Sequence, residues 1–449
     1  MQTNRNLNIR GRKQRVLIAT ILAVTLLLAA QAAQAKEIVI DNMSAAQAPD
    51  SVLVVDSSGV LYGTTAGDAG ADYGTVFSLT PPAKGQTSWT ETILYYFQGG
   101  SNDGLFPLAG LTPDGSGGFF GTTTYGGNSG NSGCTLDPNF PQCGVVYHLA
   151  PPAQGQTNWN ETVIHFFQGS DGANPFAQLI RDSATGVLFG TTYAGGASNA
   201  GTVFSLTPPA QGQTNWTETV LYSFTGAADG GFPLGHLTVD ASGAFYSTTY
   251  AGGAGGSGTV FKLTPPSGGK TEWTETVLYS FLGWQYADGG NPTASVIFDA
   301  SGNLYGTTSA GTGKGGFLND GTVFELSPPS GGQTSWTETT LYSFGGGKDG
   351  TLPSADVIMD AQGALYSITS TGGKANYGTV FKLIPPGNGQ TNWTEKLLVS
   401  FNGTDGAYPY YALTPVKVGK NVVLFGTATL GGSNNRGVVY EVTGSGFVQ

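Results

Sequence analysis

The sequence predicts an all-β protein, a seven-bladed β-propeller of four-stranded antiparallel blades, and three observations carry that expectation. The composition is turn-rich and charge-poor, with 72 glycines and 23 prolines among 449 residues and only 10% charged side chains; an average soluble domain has about a quarter charged residues and about 12% Gly plus Pro. One unit recurs seven times. Each unit divides into four short β-runs bounded by turn residues. This composition disfavours long helices, and the absence of a three-residue glycine period excludes collagen. Hydrophobic residues at 39% and aromatic ones at 11% supply a core that a disordered chain lacks.

Residues 1–35 read as a signal peptide. Arg5, Arg10, Arg12, Lys13 and Arg15 precede an apolar run from Val16 to Ala30, and the small-residue site Ala33-Gln34-Ala35 follows, so cleavage is expected before Lys36. A membrane anchor is the alternative, but crossing a bilayer takes about 20 apolar residues and this run has 15. Five of the 18 basic residues and none of the 29 acidic ones lie in this segment, so its removal leaves a net charge near −16. Such a surface repels phosphate backbones and anionic lipid, which argues against a nucleic-acid partner. Residues 36–449 then form one exported domain without a membrane span, expected to be monomeric. In that compartment Cys134 and Cys143 are permitted a disulfide, worth at most about 2.5 kcal/mol for so short a loop.

The repeat has two landmarks. Tyr62-Gly63-Thr64-Thr65 recurs in variants starting at Phe120, Phe189, Tyr246, Tyr305, Tyr366 and Phe425, and Gly74-Thr75-Val76-Phe77 recurs from Gly144, Gly201, Gly258, Gly321, Gly378 and Gly437. Taking Pro233 to Phe281 as the pattern, strand one is HLTVD, strand two AFYSTT, strand three GTVFKLTPP and strand four WTETVLYSF. Asp240 to Gly243 turn the first hairpin, and the same Asp-x-x-Gly stands at Asp56, Asp114, Asp299 and Asp360. There Asp bonds the backbone two residues on and Gly takes the left-handed position. The Pro-Pro pair ends strand three because proline cannot donate to a ladder.

Four antiparallel strands in 40 to 60 residues is the signature of a propeller blade, with a β-solenoid as the minor alternative. Six units carry the strand headed by Trp89, Trp159, Trp216, Trp273, Trp336 and Trp393, while the seventh stops after its third strand. Glu37 to Asp41, at the start of the mature chain, are expected to supply the missing outer strand and seal the ring.

The run from GTVF through LTPP, GQT, WTETVLYSF and DG to DASGNLYGTT closely resembles the GloVer tandem repeat of bacterial exported proteins described as having a choice of anchor. The likeness covers about residues 50 to 443. It implies an exported, surface-associated, propeller-like protein, and it supplies no reaction, ligand or catalytic residue.

A residue type present in every blade serves the blade, so candidate functional residues are sought among the exceptions. The connection between strands two and three is lengthened from Thr123 to Gly144 and from Thr308 to Gly321, and the longest inter-blade connection runs from Phe281 to Pro292. These two connection types emerge on one face, where function on a rigid scaffold concentrates. Tyr125, Phe140, Trp284, Tyr286 and Phe317 in these loops are the candidate ligand-binding residues, able to stack on a sugar ring or anchor a protein; packing of the loops themselves is the plainer account.

The Asp-Gly pairs at Asp103, Asp171, Asp229, Asp288, Asp349 and Asp405 read first as turns. A calcium-binding ring of carboxylates is the second reading, although the DxDxDG spacing is absent. His236, Ser295 and Asp356 occupy equivalent innermost positions on three neighbouring blades, residue types suited to base, nucleophile and orienting carboxylate. Polar residues wetting a channel explain them equally well, and no GxSxG elbow is present.

The leading expectation is a non-catalytic exported module binding a glycan or an envelope protein through its loop-rich face, with no cofactor beyond a possible calcium. A carbohydrate- or lactone-active enzyme and a structural envelope protein remain the competing readings, since propellers host all three roles.

Overall fold

The computed structural model describes residues 35–43, 48–67, 73–127, 134, 140, 142–269, 271–283, 286, 288–311, 320–332, 334–387 and 390–449. Residues 1–34, which hold nearly all of the expected signal peptide, and the candidates Trp284 and Phe317 lie outside them. Among the described residues there is no helix long and apolar enough to cross a membrane.

Seven four-stranded antiparallel sheets form the blades of a propeller. Blade four is representative: Thr238–Val239, Phe245–Thr249, Thr259–Thr264 and Thr274–Ser280 pair in chain order from the innermost strand outward. The innermost strands of blades one to six are only two residues long, shorter than the alternation of HLTVD suggests. The residues before them are engaged across blades instead. The first Thr of the YGTT landmark donates its hydroxyl to a carbonyl of the next blade: Thr64 to Ala109, Thr191 to Gly235, Thr248 to Ala294, Thr307 to Ala355 and, around the ring, Thr427 to Ser51. The second Thr pairs within its blade, as in Thr249 with Thr259 at 2.9 Å.

The Asp-x-x-Gly turns form as their chemistry dictates. Asp56, Asp114, Asp240, Asp299 and Asp360 each accept the backbone N–H two residues on, at 2.6 to 2.9 Å. The Gly opening strand three explains its own recurrence. Gly258 has φ +98°, and a Cβ there would lie 2.7 Å from Cδ of Pro292 in the next blade. Equivalent glycines meet Pro49, Pro107, Pro175, Pro233, Pro353 and Pro409, so a Gly–Pro interlock repeats at every blade junction.

The core is not one mass but seven apolar clusters, one between each pair of adjacent blades. The recurring tryptophan of strand four packs against six of them. The ring closes as the sequence leads one to expect: Lys36–Asn42 pairs antiparallel with Val438–Thr443, giving blade seven its outer strand. The seventh cluster has no tryptophan, and Phe447 packs there.

Candidate functional site

Seven inter-blade connections converge on the propeller axis, and each enters through the same strained step. The residue before the recurring proline has a positive φ in all seven blades: Ala48, Phe106, Asn174, Phe232, Asn291, Leu352 and Tyr408, between +51° and +61°. For side chains such as Phe, Leu and Tyr this conformation costs on the order of 1–3 kcal/mol. Hydrogen bonds hold it in place. Phe232, for example, donates to Ala200 O at 2.7 Å and accepts from Tyr250 N at 3.1 Å. The step delivers the three residues after each proline to the axis.

Those residues line two connected cavities. The deeper one, about 90 Å³, receives residues from every blade, among them Val52, Gly110, Gln178, His236, Asp356 and Ala412. Above it opens a funnel of about 370 Å³ walled by Phe176, Leu234, Tyr250, Leu352, Tyr410 and Tyr411, with hydroxyls from Thr293, Ser309, Ser354 and Ser370. Both cavities share Phe176, Leu234, Thr293, Ser354, Tyr410 and Tyr411, so they form one passage. Tyr250, Ser309 and Ser370 directly follow the second strands of their blades, which places the mouth on the face bearing the strand two to three connections. Tyr410 is 44% exposed there.

On the floor, His236 Nδ1 lies 3.3 Å from Asp356 Oδ2. Asp356 Oδ1 accepts the backbone N–H of Ser295 at 2.5 Å, and Ser295 Oγ donates to the carbonyl of His236 at 2.7 Å. The three residues singled out in the sequence therefore meet, but not as a nucleophilic triad. Ser295 Oγ serves the backbone of His236 and not its ring, and Ser295 is fully buried. Burial acts to lower the imidazole pKa, while the charge of Asp356 and its hydrogen bond outweigh that effect and leave a net upward shift. Asp356 moves the opposite way: burial raises it, and His236 together with the Ser295 N–H brings it below its ordinary value. Both shifts favour an imidazolium–carboxylate pair.

A further carboxylate lies near Tyr410 and Tyr411. Asp50 follows the first blade's proline, accepts a hydrogen bond from Thr429 Oγ1 at 2.5 Å, and is pushed up to about 6 by burial. Its charge also raises the pKa values of Tyr410 and Tyr411, adding to the larger effect of burial on each.

The other candidates lie elsewhere. Tyr125 and Phe140 pack with Phe106 in a three-ring cluster, with centroids 5.2 to 6.0 Å apart. Tyr286 is 65% exposed. Cys134 and Cys143 form a disulfide and are buried in the cluster between blades two and three. The Asp-Gly carboxylates accept hydrogen bonds from their own turns, as Asp103 does from Gln98 N and Gly104 N and Asp229 from Thr225 N. Tyr95, Tyr222, Tyr279 and Tyr342 donate their hydroxyls to Asp103, Asp229, Asp288 and Asp349. His165 takes the tyrosine's place opposite Asp171, at 3.1 Å, and Asn402 N donates to Asp405. Among the described residues no three His, Cys, Asp or Glu side chains converge as a metal site.

Tyr250, Tyr410 and Tyr411 were not anticipated from the sequence. A signal for the mouth exists: the proline recurs, yet the residue after it takes six identities in seven blades, being Asp50, Leu108, Phe176, Leu234, Thr293, Ser354 and Tyr410.

Fold and site together define a seven-bladed propeller with an aromatic funnel at one end of its axis. The chain belongs to the Gloeobacter/Verrucomicrobia repeat family, whose model matches residues 133–337 and 274–448. No curated protein matches it. Solved structures similar in fold include a putative 6-phosphogluconolactonase from Bacteroides uniformis, at 15% identity and a TM-score of 0.45, over 82% of this chain and 91% of that one. The polysaccharide lyase Uly1 is similar at 9% identity and 0.42, over 90% and 91%. A glucose dehydrogenase is similar at 14% and 0.42, over 90% and 99%. At such scores none of the three bears on function.

Proposed function

We propose that this protein is an exported, non-catalytic binding propeller that takes the end of a glycan chain into its axial funnel. The observation that carries the reading is the funnel's lining: aromatic walls and a rim of hydroxyls, built from the positions where otherwise repeated blades differ. A sugar ring presents apolar C–H faces, which stack on tyrosine, and hydroxyls, which pair with serine and threonine. About 370 Å³ suits one or two sugar units. The Cys134–Cys143 disulfide fits an oxidising compartment, as does the basic, then apolar segment at residues 1–35.

Calorimetric titration with neutral oligosaccharides tests this reading. Saturable binding that is lost in Tyr410→Ala, with the melting temperature unchanged, is the expected outcome. Wild-type affinity in that variant, with transfer of the effect to Tyr286→Ala, moves the site to the blade-five loop.

A further inference from the structure

This inference rests on the reading of the funnel as a glycan site. We propose that His236 is the specificity-determining residue at the bottom of that funnel, and that it reads a hydroxyl-bearing arm of a neutral sugar while the surrounding charge rejects acidic ones.

The geometry assigns the ring its task. Nδ1 is engaged by Asp356 Oδ2, so Nε2 is the nitrogen left to the cavity that His236 lines. The ring is held from behind through Asp356, which Ser295 N–H fixes, and through the Ser295 Oγ bond to the His236 carbonyl. Three blades thus set one imidazole, a preorganised donor of the kind that recognition sites use. Nothing in blade folding demands it, because the equivalent positions in four other blades are Val52, Gly110, Gln178 and Ala412.

Size and charge then restrict the ligand. The floor offers about 90 Å³ against about 370 Å³ in the funnel, so the narrower space suits a hydroxyl or hydroxymethyl arm and the wider one the ring that bears it. The ring stays in the funnel beside Tyr410 and Tyr411. His236 and Asp356 neutralise each other, so the floor offers a directed N–H without net positive charge. The remaining ionisable groups lining the passage are Tyr250, Tyr410 and Tyr411, and Asp50, whose pKa of about 6 leaves it largely ionised at neutral pH, lies close enough to Tyr410 and Tyr411 to act on both. The excess of acidic residues over the whole chain, a formal −11, has the same sign. A carboxylate entering the passage meets repulsion from Asp50 and finds its one cation already compensated.

The test is calorimetric affinity at pH 7 for β-1,4-linked mannotetraose and its mannuronate counterpart, beside the glucose and N-acetylglucosamine tetramers. A neutral tetramer is expected to bind, and the mannuronate tetramer to bind at least about tenfold more weakly. His236→Asn should weaken the neutral sugar by about tenfold, the size expected for losing one hydrogen bond to a charged group, with a lowered melting temperature from the loss of Asp356's cationic partner but a native fold by circular dichroism at the temperature of the titration. In the wild type, the ring-proton resonance of His236 should shift at saturation. Asp356→Asn, a change in the positioning residue, should lower the His236 pKa read from the same resonance. Tighter binding of mannuronate, wild-type affinity in His236→Asn, or a motionless His236 resonance overturns this proposal and leaves the funnel reading intact. Failure of every sugar to bind overturns the funnel reading and this proposal with it.

Discussion

Six blade interfaces and the seventh solve one packing problem with different material. In the six, a tryptophan heads the outer strand and lies on the core between its blade and the preceding one; Trp89 meets Phe425 with centroids 5.8 Å apart, and Trp216 meets Phe120 at 5.5 Å. In the seventh, the outer strand comes from the other end of the chain. Lys36 pairs with Thr443 as Thr90 pairs with Thr80, and Glu37 with Val442 as Glu91 with Leu79, which puts Ala35 where Trp89 stands. The C-terminal segment fills that gap. Phe447 lies 5.0 Å from Tyr366, the residue equivalent to Phe425 and Phe120, while Ala361 N donates to Val448 O at 2.8 Å and Lys382 Nζ to Gly446 O at 3.3 Å. The seam is therefore closed twice, by a strand from one terminus and a ring from the other. A repeat cannot end on itself, and the chain ends supply what the last unit lacks.

The largest effect is expected from removing the closing strand. Deleting residues up to Asn42 leaves blade seven with three strands and opens an unpaired edge along Val438–Thr443. Several backbone hydrogen bonds, each worth about 1 kcal/mol, disappear together with the apolar contacts of Ile40 and Val39. A fall in melting temperature of more than about 10 °C, or loss of a cooperative transition, is expected by circular dichroism. A truncated protein that melts like the intact one removes the closing role.

Phe447 gives a finer comparison. If it replaces the missing tryptophan, Phe447→Ala and Trp89→Ala should both destabilise, by about 2 and about 3 kcal/mol, because both side chains are only partly buried. The sharper variant is Phe447→Trp, which should equal or exceed the wild type, since the same pocket accepts indole at six other interfaces. Guanidinium midpoints measure all three. Marked destabilisation by Phe447→Trp would show that the seam pocket differs in shape from the rest.

Charge tests whether the seam follows the common rule. At the regular interfaces the glutamate of one blade faces the Asp-Gly carboxylate of its neighbour. Burial first, and the facing charge second, pushes Glu218, Glu275 and Glu395 up to about 7 and Glu161 to about 8. Glu338 also reaches about 7 despite a hydrogen bond from Thr340. The seam shares the pattern, since Glu37 faces Asp405 and rises to about 7, and Asp41 faces Glu91 and rises to about 6. Carboxyls with raised folded-state pKa values contribute stability that is complete below their unfolded values, near 4.5 for glutamate, and is lost as pH climbs through 7 to 8. Asp114 and Asp240, hydrogen-bonded in their turns and held at about 2 against the opposing effect of burial, work the other way and lose their contribution only in strong acid. The melting temperature should therefore peak near pH 4.5 and stand about 5 °C lower at pH 8.5, after discounting these partly exposed groups for screening. Scanning calorimetry from pH 4 to 9 checks the sign, and a curve rising toward pH 8.5 refutes it.

The fold was open to sequence reasoning because seven copies vote on every position; Gly258 and Pro292, for instance, repeat since neither can change without the other. The site was legible only where copies could be aligned against each other and found to differ. That comparison picked out His236, Ser295 and Asp356 but gave no hint that Ser295 would bond a carbonyl. Tyr410 was overlooked because nothing in the sequence tells that the variable position after each recurring proline turns inward to the axis. The left-handed backbone at Phe232, Leu352 and Tyr408 could not be foreseen, since those side chains have no preference for it and the surrounding hydrogen bonds impose it. Phe447 lies past the last repeat landmark, where no other copy gives it meaning.

The disulfide offers the smallest effect and a contrast with the seam. Cys134 and Cys143 are nine residues apart, so their bond constrains little of the unfolded chain, at most about 2.5 kcal/mol. The seam instead joins residues some four hundred positions apart, as in the pairing of Lys36 with Thr443. Both cysteines are buried beside Phe120, Val146 and Phe167, so changing both to alanine removes the cross-link and keeps most of the apolar contact. A loss of about 2 °C in melting temperature is expected for the double variant, and reducing agent should lower the wild type no further than that. A drop comparable to that of the strand deletion would mean that the blade-two loop, and not the meeting of the termini, is what holds the ring shut.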